Sequence, residues 1–557
     1  MKLDYKKTFY IGLAFFLITL FWRTYDLVIA KILIDKFGLN QTWSGVVMSL
    51  DNIIAVFLIP LFGVFSDKQK SKHGRRTPYI VVGTVIAAFL FMSLTFSDNF
   101  QKAKLEAETT VVQDYNDFIN RLDENGELSY SEWITIRDVI VDQWDQLLAD
   151  GIITQERYDK FYEDVIDGYD GDDVTLSTDI HYVSDNREGI NEILSFSGGN
   201  LTKDDNKDLK ECYYDNLNER AWVVTSHSPG TFIVFMGTLL IALLAMATFR
   251  SPAVALMPDV TIKPLRSKAN AVINLMGTIG GIIATGVLWI YHLDKLSYVN
   301  YSPAFITIGV LMLIILLIFM WKVKEPKLVE ERVNMDIKYG LLEEEEIKEE
   351  NHHVVEKEKK KSLYLILASV ALWFIGYNAV MSKLSDYAPK VLNLGYSLPI
   401  IIAQMAALIA FIPIGILATK IGRKKTILIG IVMLTICFGS VYFLTVNTAT
   451  LMYIVFAFTG IAWATINVNS YPMVVELAKG SDVGKYTGFY YTFSMSAQIL
   501  TPILSGVLMD MFGRTILFPY AAVFVFASFI TMFFVKHGDF KINKKDSILE
   551  SFDVDMD

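Results

Sequence analysis

The sequence predicts an all-α membrane protein with twelve membrane-spanning helices in two six-helix bundles. Hydrophobic residues make up 53% of the 557-residue chain and aromatic residues 13%, a composition typical of membrane proteins. The sequence also contains twelve apolar windows of about 20 residues, the length with which a helix crosses a bilayer. These windows lie at 9–31, 44–65, 78–97, 230–249, 269–291, 303–321, 363–383, 398–418, 426–446, 450–470, 486–508 and 516–535.

The first window and the loop charges predict the orientation. The first window contains Arg23 and Asp26 and lacks a small-residue cleavage site, so we interpret it as a retained helix and not a signal peptide. Lys and Arg collect in the even-numbered connections, for example 66–76 and 420–425. Short cation-rich loops stay in the cytoplasm. We therefore expect both termini in the cytoplasm and the chain in the plasma membrane.

Two segments fall outside the spans. The segment 98–228 contains 31 Asp and Glu against 11 Lys and Arg, and it is far longer than an ordinary connection. We interpret it as an acidic extracytoplasmic domain inserted between helices 3 and 4, and the charged stretch 323–362 as a solvated cytoplasmic linker. The predicted domains are 1–97 with 229–322 (first bundle), 98–228 (insertion), 323–362 (linker), 363–537 (second bundle) and 538–557 (tail).

Part of the insertion is similar to a calcium-binding loop. In RLDENGELSYSEW, the matching positions are Asp123, Asn125, Gly126, Leu128 and Glu132. However, Arg121 stands where the first ligand belongs. We therefore expect a helix–loop–helix without metal, with calcium binding as the alternative. Two cysteines, Cys212 and Cys437, exclude a disulfide framework.

The two groups of six windows share a repeated pattern. A shift of 352 residues pairs Tyr25 with Tyr377, Asp26 with Asn378, Lys31 with Lys383, Asn52 with Gln404 and Gly63 with Gly415. Later in each half a shift of 217 pairs Asp259 with Glu476 and Lys268 with Lys485. The two shifts differ by nearly the length of the insertion. The chain is thus a duplicated six-helix unit, which predicts a transporter with its site between the halves.

Several motifs resemble one transporter family. GVFSDKQKSKHGRR resembles the loop 2–3 signature of the major facilitator superfamily, Gly-x-x-x-Asp followed by Gly-Arg-Arg. GILATKIGRKK (415–425) is similar to its second-half copy, with Thr419 where an acid is expected. KHGRRTPYI, DNIIAVFLIPLFG (51–63) and the helix 4–5 stretch 250–281 are similar to glycoside–cation symporters, the sucrose-type carriers. The insertion departs from that family.

The resemblance implies a cytoplasmic gate in which loop charges make contacts that break when the bundles rock. The expected gate residues are Gly63, Asp67, Gly74, Arg75, Arg76, Asp259, Arg266, Lys268, Arg423, Glu476 and Lys485. The alternative is that these cations only set topology. Because membrane spans flank the loop 66–80, we exclude nucleic-acid binding for it.

Charges inside spans are costly and therefore indicate function. Arg23 and Asp26 share one face of helix 1, and Asp51 lies at a similar depth in helix 2. Asn378 and Ala403 replace the two acids in the second half. We predict that Asp26, or failing that Asp51, binds the coupled proton, and that Arg23 holds the carboxylate ionised until substrate or protonation rearranges the pair. The alternative is a static Arg23–Asp26 ion pair.

The remaining polar and aromatic residues of the spans fit a sugar, which needs ring faces and hydrogen-bonding amides. The candidates are Trp22, Tyr25, Asn52, Asn270, Asn274, Trp373, Tyr377, Asn378, Gln404, Asn467 and Gln498. Bundle packing or an interfacial belt is the alternative for each aromatic residue. We predict a monomeric, lipid-embedded importer of a di- or oligosaccharide glycoside with protons, without cofactor or metal, although sodium could replace the proton. The alternatives are an exporter of drug or sugar, or a sensor that uses 98–228. No spacing indicates an enzyme.

Overall fold

Two sets of six long helices form the membrane body. The structure is a computed structural model that describes residues 3–69, 71–108, 130–167, 217–262, 265–294, 299–338, 353–475, 477 and 483–536. The first half comprises α1 (Tyr5–Asp35), α2 (Gln41–Lys68), α3 (Thr77–Glu108), α7 (Gly230–Val260), α8 (Arg266–Ile290) and α9 (Ser302–Lys322). The second half comprises α11 (His353–Leu392), α12 (Ser397–Ile421), α13 (Arg423–Val441), α14 (Leu451–Val475), α15 (Val483–Phe512) and α16 (Leu517–Phe533).

The predicted fold class is confirmed. Eleven of the described helices are long and apolar enough to cross a membrane, and α12 contains a shorter apolar stretch at 397–411. Among the described residues, four further α-helices lie outside the two sets: α4 (Tyr130–Ala149), α5 (Gln155–Phe161), α6 (217–227) and α10 (Glu325–Lys338). We call the end of the bundle at the turn 36–40 the insertion end, and the end at α10 the linker end.

The last helix of the insertion packs on the first half. Gly38, in the turn between α1 and α2, has φ +67°, and a Cβ there would run into the backbone of Asn218 and Trp222 in α6. Gln101 of α3 donates a hydrogen bond from Nε2 to Thr225 Oγ1 at 3.0 Å. Lys104 donates to the carbonyl of Ser228 at 2.8 Å. Helix α6 is therefore fixed to α1, α2 and α3.

Helices α4 and α5 form a small core of their own. The rings of Trp144 and Phe161 stack at 3.8 Å, and Tyr158 donates a hydrogen bond to Asp145 Oδ1 at 2.6 Å. Partial burial and this hydrogen bond raise the pKa of Tyr158 to about 12. The calcium-like stretch lies outside the described residues, apart from the backbone of 130–133.

Helix α7 is longer than the hydropathy predicts. It continues to Val260 through Pro252 and Pro258, whereas the predicted span ends at 249. Proline usually ends a helix because it lacks an N–H, but neighbouring helices can satisfy the freed groups in a membrane bundle. Arg250, which we assigned to a loop, therefore lies inside the helix.

The linker begins with a largely exposed helix, α10, that is anchored to the first half through Glu325. Glu325 of α10 is 1% exposed, and its carboxylate accepts hydrogen bonds from the backbone N–H groups of Arg75 (2.8 Å), Arg76 (3.0 Å) and Thr77 (2.8 Å). Gly74 has φ +104°, and a Cβ there would collide with the Glu325 carboxylate. The linker thus caps the start of α3.

We expect Glu325→Ala to destabilise the protein. The substitution leaves three buried N–H donors without their acceptor, which costs about 2 kcal/mol or more. Thermal unfolding of the detergent-solubilised protein measures the effect. Glu330→Ala, an exposed glutamate on the same helix, is the control and should change the midpoint little. Equal midpoints for the two variants would contradict the capping role.

Candidate functional site

Charged side chains from three helices of the first half lie close enough for their charges to interact. Asp26 of α1 and Asp51 of α2 are both partly exposed. Their charges act on each other, and both interact with the charge of Arg250 in α7. Asn52 donates a hydrogen bond from Nδ2 to Asp51 Oδ1 at 3.1 Å. The structure therefore brings the two predicted carboxylates into one electrostatic cluster.

Arg250 is a member of this cluster that sequence reasoning missed. Its guanidinium carbon lies 5.7 Å from the ring centre of Trp22, within the range of a cation–π contact. It was missed because the predicted span ends at 249, which placed Arg250 in one of the basic connections.

Arg23 acts on Asp26 through its charge and also contacts the second half. When the Gln404 amide is oriented to match donors with acceptors, its oxygen accepts hydrogen bonds from Arg23 Nη2 (3.0 Å) and Nε (3.2 Å). Between Arg23 and Asp26, both of which are described, the structure has no ion pair within 4.0 Å. Gly281 of α8 lies beside this contact, since a Cβ there would lie 3.4 Å from the Gln404 amide.

Three of the predicted sugar-binding residues have buried polar atoms without a partner. Among the described residues, Trp22 Nε1, Tyr25 OH and Asn378 Nδ2 have no hydrogen bond. Because an unpaired buried polar group is costly, these atoms are candidates for hydrogen bonds to a ligand.

The aromatic residues of the second half differ in exposure. Trp373, like Tyr25, is fully buried in the bundle core, and its assignment to the site stays a prediction. Tyr377 is partly exposed and stacks on Trp463 of α14, with ring centres 3.7 Å apart and planes 8° apart. Trp463 was missed because the repeat shows no partner for it. One indication in the sequence that Trp463 could be a site residue was its position two helical turns from the end of the predicted span.

The predicted amides differ in exposure. Asn274 and Asn467 are buried, whereas Gln498 is partly exposed. The side chain of Asn270 lies outside the described part of the chain.

The loop signature forms a charge cluster at the linker end. Arg76 bonds Asp67 Oδ1 through Nη2 at 2.5 Å and Asp259 Oδ2 through Nε at 2.8 Å. Arg75 bonds Asp259 Oδ1 at 2.6 Å. These contacts join α2, α3 and α7 within the first half. The expected contacts across the halves stay a prediction, because Glu476 and the side chains of Arg266, Lys268 and Lys485 are outside the described residues.

The remaining gate residues lie near this end. A Cβ on Gly63 would lie 3.0 Å from Ser251 Oγ of α7. Arg423 is 9% exposed at the start of α13. Both positions are therefore closely packed.

A second set of charges, which the sequence did not predict as a unit, closes the insertion end. Lys390 Nζ lies 2.7 Å from Asp35 Oδ1 of the first half and 2.7 Å from Asp386 Oδ1. Gln41 donates from Nε2 to Asp386 Oδ2 at 2.7 Å, and Arg514 donates from Nε to the same oxygen at 3.2 Å. All five side chains are nearly fully buried. These contacts join the two halves across the interface.

We expect Lys390→Gln to destabilise the protein strongly. The substitution removes the cation shared by two buried carboxylates, and the loss of one member of a buried ion pair costs about 3–5 kcal/mol. Lys7→Gln is the matched control, because the Lys7–Glu331 pair is about half exposed and such pairs contribute about 0–1 kcal/mol. Thermal unfolding midpoints of the two variants provide the comparison. A midpoint for Lys390→Gln at or above that of the control would refute this role.

Two family models match the chain. The model described as Major Facilitator Superfamily matches residues 221–412 and 393–547, which together make up more than half of the chain. The model described as MFS/sugar transport protein matches residues 10–112.

Solved transporter structures have the same fold. A bacterial homologue of the iron transporter ferroportin in an inward-facing state matches with TM-score 0.54 and 11% identity, over 96% of this chain and 99% of that one. The xylose transporter XylE from E. coli in an inward open conformation matches with TM-score 0.50 and 13% identity, over 98% of both chains. A D-xylose-proton symporter matches with TM-score 0.50 and 13% identity, over 95% of this chain and 98% of that one. The chain therefore belongs to the major facilitator superfamily and is a multi-pass membrane transport protein, not an enzyme.

Proposed function

We propose that the protein imports a sugar, a di- or oligosaccharide glycoside, together with protons by alternating access across the plasma membrane. The observation that carries this proposal is the cluster of Asp26 and Asp51 with Arg250, next to unpaired polar atoms of Trp22 and Tyr25. It combines a group that can take up a proton with groups suited to a sugar.

The pair of carboxylates supports proton coupling. Two ionised carboxylates at one site in a low-dielectric cavity repel each other, and one proton removes that repulsion. Arg250 interacts with both and compensates the charge that stays. Because the second half has Asn378 and Ala403 at the equivalent positions, a single proton site in the first half is the simplest arrangement.

The aromatic and amide groups support a sugar as the substrate. The stacked rings of Tyr377 and Trp463 present an apolar surface to the C–H faces of a saccharide. The Gln404 amide accepts hydrogen bonds from Arg23. The Asn378 Nδ2 donor has no hydrogen-bond partner among the described residues. The match to the MFS/sugar transport protein model, residues 10–112, covers α2, α3 and most of α1, in agreement with this assignment.

The closed insertion end supports the direction of access. The loop charges place the linker end in the cytoplasm, so the ion pairs of Lys390 lie on the outer side. In this conformation the halves are joined on that side, as expected for the state that faces the cytoplasm. An exporter would use the same two states in the opposite order, and the transport assay separates the two directions.

Uptake into proteoliposomes tests this function. We expect an inward proton gradient to drive accumulation of radiolabelled sucrose or maltose. Asp26→Asn should reduce sugar accumulation at least tenfold, because a neutral amide cannot take up and release the coupled proton. Sugar exchange should persist in this variant. Asp51→Asn, measured in parallel, identifies which carboxylate titrates. If neither sugar moves under any gradient, the import hypothesis is wrong, and export or sensing takes its place.

The tryptophan assignments provide a second test. We expect Trp463→Leu to raise the KM for the sugar about tenfold, because the stacked ring pair is lost from the cavity, and to lower the unfolding midpoint little. Trp373→Leu should lower the midpoint, because that ring is fully buried, and should leave the KM close to wild type. The reverse pattern would show that Trp373 is the substrate residue.

A further inference from the structure

The first turn of α2 is held by a carboxylate from the other half. Asp510, near the end of α15, accepts hydrogen bonds from the backbone N–H groups of Gln41 (2.9 Å) and Thr42 (2.8 Å). The Thr42 hydroxyl also bonds Asp510. The N–H groups of a first helical turn have no partner within their own helix. Helix α2 therefore depends on the second half for these bonds.

A carboxylate at this position is well suited to hold the helix. The start of a helix carries partial positive charge, which an anion stabilises, and hydrogen bonds to an ionised acceptor are stronger than neutral ones. Asn40 of the first half caps the next N–H, that of Trp43, at 2.8 Å. The Asn40 cap belongs to the same half as α2 and moves with it. The Asp510 cap comes from the other half and exists only while the insertion end is closed.

The contact continues along both helices. Lys383 of α11, also in the second half, donates a hydrogen bond to the Gln41 carbonyl at 2.9 Å. A Cβ on Gly45 or on Gly506 would run into the backbone of the facing helix. Ser49 Oγ donates to the carbonyl of Ile499 at 2.8 Å. Helix α2 therefore lies directly against α15 from its first turn to Ser49.

The contact between α2 and α15 extends to within two residues of Asp51, a member of the carboxylate cluster. Asp51 follows Ser49 by two residues and lies about 14 Å along the helix axis from Thr42, at 1.5 Å per residue. Asp26 lies on α1, whose last residue, Asp35, is held by Lys390 of the second half. Each of the two carboxylates is thus carried by a helix whose insertion end is tied to the opposite half.

We propose that Asp510 is a positioning residue for transport: its bonds to the first turn of α2 hold Asp51 in place beside Asp26 while the insertion end is closed. This inference rests on the proposed alternating access and proton coupling. When the halves separate at the insertion end, α2 loses the cap and Asp51 is free to move relative to Asp26. The same contact therefore links closure to the geometry of the proton site.

Cysteine labelling tests the closure directly and needs no substrate. Ser49→Cys, in a background with Cys212→Ser and Cys437→Ser, places a thiol in the contact between α2 and α15. We expect Asp510→Asn to increase its rate of labelling by a water-soluble maleimide in nanodiscs about tenfold. Asp510→Glu, which keeps the charge, should stay near the parent rate. Asp150→Asn, at an acid outside the contact, is the control.

Transport measured on the same variants tests the link to coupling. We expect Asp510→Asn to reduce gradient-driven sugar accumulation more than sugar exchange, with Asp510→Glu close to wild type. A merely structural role would lower accumulation and exchange equally and lower the unfolding midpoint, and this result would overturn the proposal. Unchanged labelling in Asp510→Asn would also overturn it. If the wild type moves no sugar, the labelling result still decides whether Asp510 holds the closed end, so the two proposals fail separately.

Discussion

The cost of an ionised side chain in the membrane interior is the constraint on which the rest of the structure depends. The chain meets this cost by giving its buried charges partners of opposite charge. Lys390 neutralises Asp35 and Asp386 at the insertion end, and Arg250 acts on Asp26 and Asp51 within the first half. Because the partners at the insertion end come from different halves, the burial of charge there also holds the two bundles together.

Hydropathy predicted the helices well because every span must be apolar over its full length. It failed at α7, where the predicted span ends at 249 and Arg250 therefore fell in a connection, whereas the helix continues to Val260. The repeat predicts a site between the halves that includes Tyr25, Asp26 and Asn52, and this placement stays a prediction. It could not predict the pairing of Asp35 with Lys390, which are 355 residues apart, because only the closed interface brings them together.

The first half has a rigid linker end. Arg76 joins α2, α3 and α7 through Asp67 and Asp259, and Glu325 fixes α10 to the start of α3. Sequence analysis found the loop motif through its resemblance to a family signature but gave no role to Glu325, since one glutamate in an acidic linker has no local pattern. The described start of the linker is therefore attached to the first bundle.

The docking of α6 on Gly38, Gln101 and Lys104 has a practical consequence. A fluorophore or spin label on α6 would report the position of the first bundle, and a second probe on the turn between α15 and α16 would report that of the second. The distance between the two probes would follow the rocking of the bundles in a lipid membrane in real time. An antibody fragment bound to α6 would likewise be a rigid fiducial for imaging the first bundle.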